Sequence, residues 1–143
     1  MKANELLQEL RESVKEDEWK RLEEDDPTLV INSFNRSVVL SLRDAEVNDH
    51  EVDAASANEL RRKLEQYLNK YMADKPQGHK WIIISSIYRS FIARLPMHPQ
   101  EAAKWKAVEE GGTTRYLCPI REDTPDSVCL YCVCERANYS VSI

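Results

Sequence analysis

The chain has 143 residues, of which 42% are apolar and 31% charged, with a formal net charge of −5. That composition excludes a disordered tail or a collagen-like repeat, and it describes a soluble globular chain long enough for one domain with its own core. No apolar run approaches membrane length and the N-terminus carries no leader pattern, so a cytoplasmic protein is the expectation.

Charge is unevenly spread. Residues 1–59 hold 7 basic and 16 acidic groups, whereas residues 60–143 hold 13 basic and 9 acidic. The basic half is too dilute for a nucleic-acid footprint, and Arg61-Arg62-Lys63 reads as a solvated helix face. With three Gly and six Pro, the chain is expected to be rich in helix.

Residues 4–24 predict the first helix, with Leu6, Leu7, Leu10 and Val14 on one face and Trp19 and Leu22 extending it. Its acidic end, through Glu23-Glu24-Asp25-Asp26, lacks the alternation and Gly turn of a calcium loop. Asp26-Pro27 predicts the start of a second helix running to about Ala45, with Ile31, Phe34, Val38 and Leu42 as its stripe. After a polar connection, Ser56 and Glu59 fit a capping box, and Leu60, Leu64, Tyr67, Leu68 and Tyr71 mark the third helix.

Residues 79–94 predict a fourth helix. Trp81, Ile84, Tyr88, Phe91 and Leu95 recur at helical spacing and Ile82, Ile83, Ile87 and Ile92 widen the apolar surface, which marks it as the central core helix. Beyond Met97 the helical spacing fades. Two segments flank Glu109-Glu110-Gly111-Gly112, which predicts a hairpin with a Gly-bearing loop; a helix over residues 99–110 is the rival reading. Thr124-Pro125-Asp126 predicts a short helix carrying Cys129 and Cys132 one turn apart. The fold class that follows is mainly α: about four helices in residues 1–96, with a Cys-bearing hairpin and short helix in residues 97–143 packed on them as one domain.

All four cysteines fall in residues 118–134, at Cys118, Cys129, Cys132 and Cys134. In a reducing compartment such a cluster points to metal ligation or redox chemistry before structural disulfides. Cys129 and Cys132 have the spacing with which two sulfurs reach one tetrahedral ion, and Cys118 supplies a third. Cys134 or His98 supplies the fourth, and spacing does not choose between them. Zinc is the favoured occupant and an iron–sulfur cluster its competitor, since thiolates also hold iron. Three other readings stand beside the metal: buried core thiols, a disulfide from Cys118 to Cys129 or Cys132, and a redox pair. A cysteine nucleophile would need His98 with Asp123 or Asp126, and nothing in the spacing asks for that.

Ile83-Ile84-Ser85-Ser86-Ile87-Tyr88, then Met97-His98-Pro99, then Tyr116-Leu117-Cys118-Pro119 and Cys129-Leu130-Tyr131-Cys132 together resemble an archaeal family known mainly from methanogens and catalogued as a domain of unknown function. Its members end in a Ser-Ile-Tyr helix, His-Pro, a Gly-rich loop, Tyr-Cys-Pro-Val and Cys-x-Phe-Cys. The likeness covers about residues 80–135, and the first half only in helical character. His98, Cys118, Cys129 and Cys132 match individually and Cys134 is an extra. The chain departs from the pattern between Pro99 and Lys104, where Gln100-Glu101-Ala102-Ala103 replaces a Gly-Thr-Pro-rich loop. The resemblance implies three Cys and one His as the ligand set, and brings no activity with it. A non-enzymatic protein-interaction module with a structural zinc is the functional expectation, with an iron–sulfur or thiol redox protein as the alternative and a Cys-dependent enzyme as a further one.

Overall fold

A computed structural model describes residues 1–137. The last part of the expected C-terminal segment, residues 138–143, lies outside the described residues. In order, the elements are α1 (Ala3–Glu12), α2 (Glu16–Glu23), α3 (Ser33–Arg43), α4 (Ala54–Tyr71), α5 (His79–Ile87), a π-helical turn (Tyr88–Ile92), α6 (Gln100–Ala103), β1 (Lys106–Glu110), β2 (Thr113–Cys118) and β3 (Glu135–Arg136). Short 3-10 turns cover Pro76–Gly78 and Val128–Tyr131.

This corrects the expected fold class. Among the described residues there are six α-helices rather than about four, and the β part is a three-stranded sheet in the order β1-β2-β3, so the chain is α+β and not mainly α. One extra helix comes from a break in residues 4–24. The Ser13 hydroxyl donates to the Leu10 carbonyl at 2.6 Å, and the Lys15 N–H donates to the Glu18 carboxylate at 2.9 Å, starting α2 afresh. Such side-chain bonds give the backbone an alternative to continuing the helix.

Two helix starts also move. Asp26 does not cap a helix; its carboxylate takes the Thr28 N–H at 2.8 Å and faces Arg21 at 2.9 Å. Asn32 caps α3 instead, accepting the Asn35 N–H at 2.7 Å. Likewise Asp53, not Ser56, caps α4, accepting the N–H groups of Ala55 at 3.0 Å and Ser56 at 3.3 Å. The Ser56 hydroxyl donates to Asp53 at 3.0 Å.

The core is organised on α5. Trp81, Ile83, Ile84 and Ile87 are buried and pack against Val38, Val39 and Leu42 of α3 and Leu60, Leu64 and Leu68 of α4. Every side of α5 is covered, which is why its sequence reads apolar nearly all round. Gly78 lets its N-terminal end approach the α2–α3 connection: a Cβ there would lie 2.8 Å from the Val30 carbonyl oxygen. The N-terminus is tied down by a bridge between Lys2 and Glu51, with Ala3 N–H donating to the His50 carbonyl at 2.8 Å. His50 in turn contacts the Phe91 carbonyl through Nε2 at 2.9 Å, and His79 reaches the Met72 carbonyl at 2.6 Å.

The expected hairpin forms, and most of the rival helix does not. Glu110 pairs with Thr113 across a two-residue Gly111-Gly112 turn, whose φ values of 58° and 81° suit glycine. β3 then adds to β2 in parallel, with Leu117 opposite Glu135 and Cys118 opposite Arg136. Arg115 fastens the three strands through Glu110 at 2.9 Å and Glu135 at 2.9 Å.

Candidate metal centre

Each thiol is placed by a separate local device. Cys118 ends β2, buried, and its carbonyl accepts the Ala137 N–H at 3.1 Å. That parallel pairing sets Cys134, also buried, beside it. Cys129 lies in the Val128–Tyr131 turn, where the Ser127 hydroxyl oxygen accepts its N–H at 3.1 Å. Cys132 closes that turn, with its N–H on the Cys129 carbonyl at 3.1 Å. All four thiols are free.

The four cysteines and His98 line one cavity of about 30 Å³, together with Met97, Ala103, Trp105 and Arg121. That exceeds the roughly 10–15 Å³ that one ordered water needs. Within the group, Cys132 and Cys134 make a direct thiol contact. The Cys134 S–H bonds to the Cys132 sulfur, which also accepts the Met97 N–H at 3.3 Å. These bonds, with His98 nearby, pull Cys132 well below the ordinary thiol range, although its burial opposes them. Cys134 is driven the other way by its bond to Cys132, by burial and by the charges of Cys132 and Cys118.

The sequence order of preference puts Cys134 last; the structure sets it in contact with Cys132 and next to Cys118. Cys129 sits at the cavity's edge, where a larger groove shares it. His98 is exposed, and its carbonyl accepts the Trp105 Nε1–H at 2.9 Å. Among the described residues, no group of three or more His, Cys, Asp or Glu side chains is closed tightly enough to hold a metal ion. The donors share a wall, and they do not form a finished cage.

Two cations that spacing alone does not reveal flank the thiols. Arg89 comes from the π turn, where Ala93 N–H reaches back to the Tyr88 carbonyl at 2.9 Å. Its Nε donates to the Pro96 carbonyl at 2.8 Å and its guanidinium covers Phe34. Burial pulls Arg89 below its usual range, while Tyr116, Cys132 and neighbouring groups push back. Arg121 donates to the Cys134 carbonyl and pairs with Asp123 at 2.6 Å. That pairing takes up the Asp123 carboxylate, one of the two orienting groups a cysteine nucleophile would draw on. In sequence Arg89 lies off the Trp81–Ile84–Tyr88 stripe, a place that favours a solvent-facing role over anion binding.

No helix among the described residues is long and apolar enough to cross a membrane. Comparison with known proteins finds that residues 1–137 match a family described as "Uncharacterized protein conserved in archaea (DUF2115)". UPF0305 protein MJ0646 of Methanocaldococcus jannaschii is 30% identical over 98 residues, covering 63% of this chain. That match spans 57% of the relative's own length, short of two thirds of it. No solved structure matches.

Proposed function

The chain belongs to this archaeal family (DUF2115), and we propose that it is a non-catalytic cytoplasmic module that holds one structural zinc ion and acts through protein partners. The observation that carries the reading is the convergence of Cys118, Cys129, Cys132, Cys134 and His98 on a single cavity of about 30 Å³. Thiolates with or without one imidazole are the donor set tetrahedral zinc accepts in structural sites. Binding requires the donor side chains to close in on the ion, since among the described residues no such group is closed around one beforehand. Arg89 and Arg121 offset the negative charge that three or four thiolates leave on a zinc site.

A zinc ion here would pin three elements together: the end of β2, the Val128–Tyr131 turn and the junction at His98. The loops it pins carry Ile120 and Leu130, 53% and 43% exposed, which supports a role in contacting a protein partner.

Chelation tests the reading. Stripping zinc with a high-affinity chelator is expected to lower the melting temperature by about 10 °C or more, because a ligand present far above its Kd contributes several kcal/mol to the folded state. Adding back one equivalent of zinc restores it. An unchanged melting temperature after complete metal removal contradicts a structural zinc.

A further inference from the structure

Cys132 combines two properties that no other thiol of the chain combines. It is half-buried, whereas Cys118 and Cys134 are only 6% and 5% exposed, so a small solute reaches it before them. It also packs against the buried cluster that Cys118 and Cys134 form with Ala103. Cys129 is equally half-buried but lies outside that cluster.

The backbone brings Cys132 and Cys134 together. Cys132 has φ −80° and ψ 147°, which are extended values. In extended chain, side chains two residues apart leave on the same face. Arg121 clamps this segment, with Nη1 donating to the Cys132 carbonyl at 3.5 Å and also to the Cys134 carbonyl. The Cys134 S–H bonds to the Cys132 sulfur, so the two sulfurs are already in contact. The Met97 N–H donates to the same Cys132 sulfur at 3.3 Å and holds it in place.

We propose that Cys132 is a site of oxidation by hydroperoxides, and that Cys134 converts the product to a Cys132–Cys134 disulfide that withdraws two metal donors. The loss of metal rests on the zinc reading above, whereas the disulfide rests on the thiols alone. The Cys132 sulfur attacks one peroxide oxygen. An S–O bond forms, the O–O bond breaks, and the second oxygen leaves as water with the thiol proton, giving a sulfenic acid. The Cys134 sulfur then attacks the Cys132 sulfur. The S–S bond forms, the S–O bond breaks, and the hydroxyl leaves as water with the Cys134 proton. The two thiols lose two electrons and the peroxide is reduced to water. From metal-bound thiolates, two protons from water replace the thiol protons.

Oxidation leaves Cys118, Cys129 and His98 at the cavity, one donor short of a tetrahedral set. Two residues of extended chain span at most about 7 Å, the upper edge of the Cα separation a disulfide takes. The bridge therefore forms under strain and is readily reduced.

The test treats the full chain with hydrogen peroxide, zinc-treated and metal-free in parallel. Zinc release is followed with a chromogenic indicator, and the remaining thiols are alkylated before peptide mapping. Cleavage after Arg121, Tyr131 and Arg136 puts Cys118, Cys129 and the 132–136 peptide on separate fragments. The 132–136 peptide is expected to be unalkylated and lighter by two hydrogen atoms in both samples, with about one zinc released per disulfide. Dithiothreitol restores both thiols and the zinc binding. Cys134→Ser is expected to lose the disulfide and to leave a sulfenic acid at Cys132 that dimedone traps. If Cys134→Ser does not fold, the map of the unaltered chain decides. A bridge from the 132–136 peptide to Cys118 or Cys129, or alkylation of both Cys132 and Cys134 after peroxide, would overturn the proposal. So would zinc that stays bound once the disulfide has formed. A disulfide in the metal-free chain, with no zinc taken up by the treated one, would instead overturn the zinc reading and uphold the oxidation site.

Discussion

Cys118→Ser is expected to lower zinc affinity by about a hundredfold or more, and to bring the melting temperature of the zinc-treated protein down to that of the stripped one. Cys118 is buried at the end of β2, its carbonyl bonded to Ala137, so the backbone has no freedom to offer another donor in its place. A serine hydroxyl is nearly isosteric with the thiol but does not ionise at neutral pH, so it replaces a thiolate ligand with a weak one. Cys129→Ser is expected to act less strongly, since Cys129 sits at the cavity's edge and His98 lies on the same wall. The measurement is competition with a chromogenic zinc chelator on both variants and the parent. Equal affinity in Cys118→Ser and the parent would remove Cys118 from the ligand set.

Trp81→Ala is expected to cost about 3–5 kcal/mol of stability, the range for truncating a large buried aromatic in a packed core. Trp81 is 2% exposed in the first turns of α5, between the stripes of α3 and α4. The helix cannot slide to refill the space, because Gly78 just before it already lies against Val30. The Lys80 ammonium beside the ring also loses its aromatic face, a smaller contribution. Urea unfolding monitored by circular dichroism reads the effect as a lower midpoint at unchanged slope. A loss below about 1 kcal/mol would mean that α5 is not the centre of the core.

How far these features were legible depends on the range over which each is encoded. The α5 stripe from Trp81 to Phe91 is local, repeats at helical spacing and was readable. So was the hairpin, since Gly111-Gly112 between two strand-forming runs specifies its turn. The break at Ser13 was not, because Leu10, Val14 and Leu22 keep an apolar spacing through it; the break is made by side-chain bonds of Ser13 and Glu18. The two-residue β3 is too short to show period-2 alternation, and its parallel pairing with β2 is a long-range choice. With β3 unread, the hairpin's extension to a three-stranded sheet was missed and the chain looked mainly helical. The same pairing places Cys134 beside Cys118, which spacing along the chain does not express. Clustering of the thiols in sequence was visible, whereas the positions of Arg89 and Arg121 depend on the π turn and on the path of the chain after β2.

The most direct measurement is the metal content of the full chain, purified anaerobically without chelator, with thiols titrated on the same sample. Close to one zinc per chain is expected, with no visible absorption band and thiols that react fully only after the metal is removed. Zinc far below stoichiometry with freely reactive thiols would contradict it, as would iron accompanied by the brown absorption of a cluster.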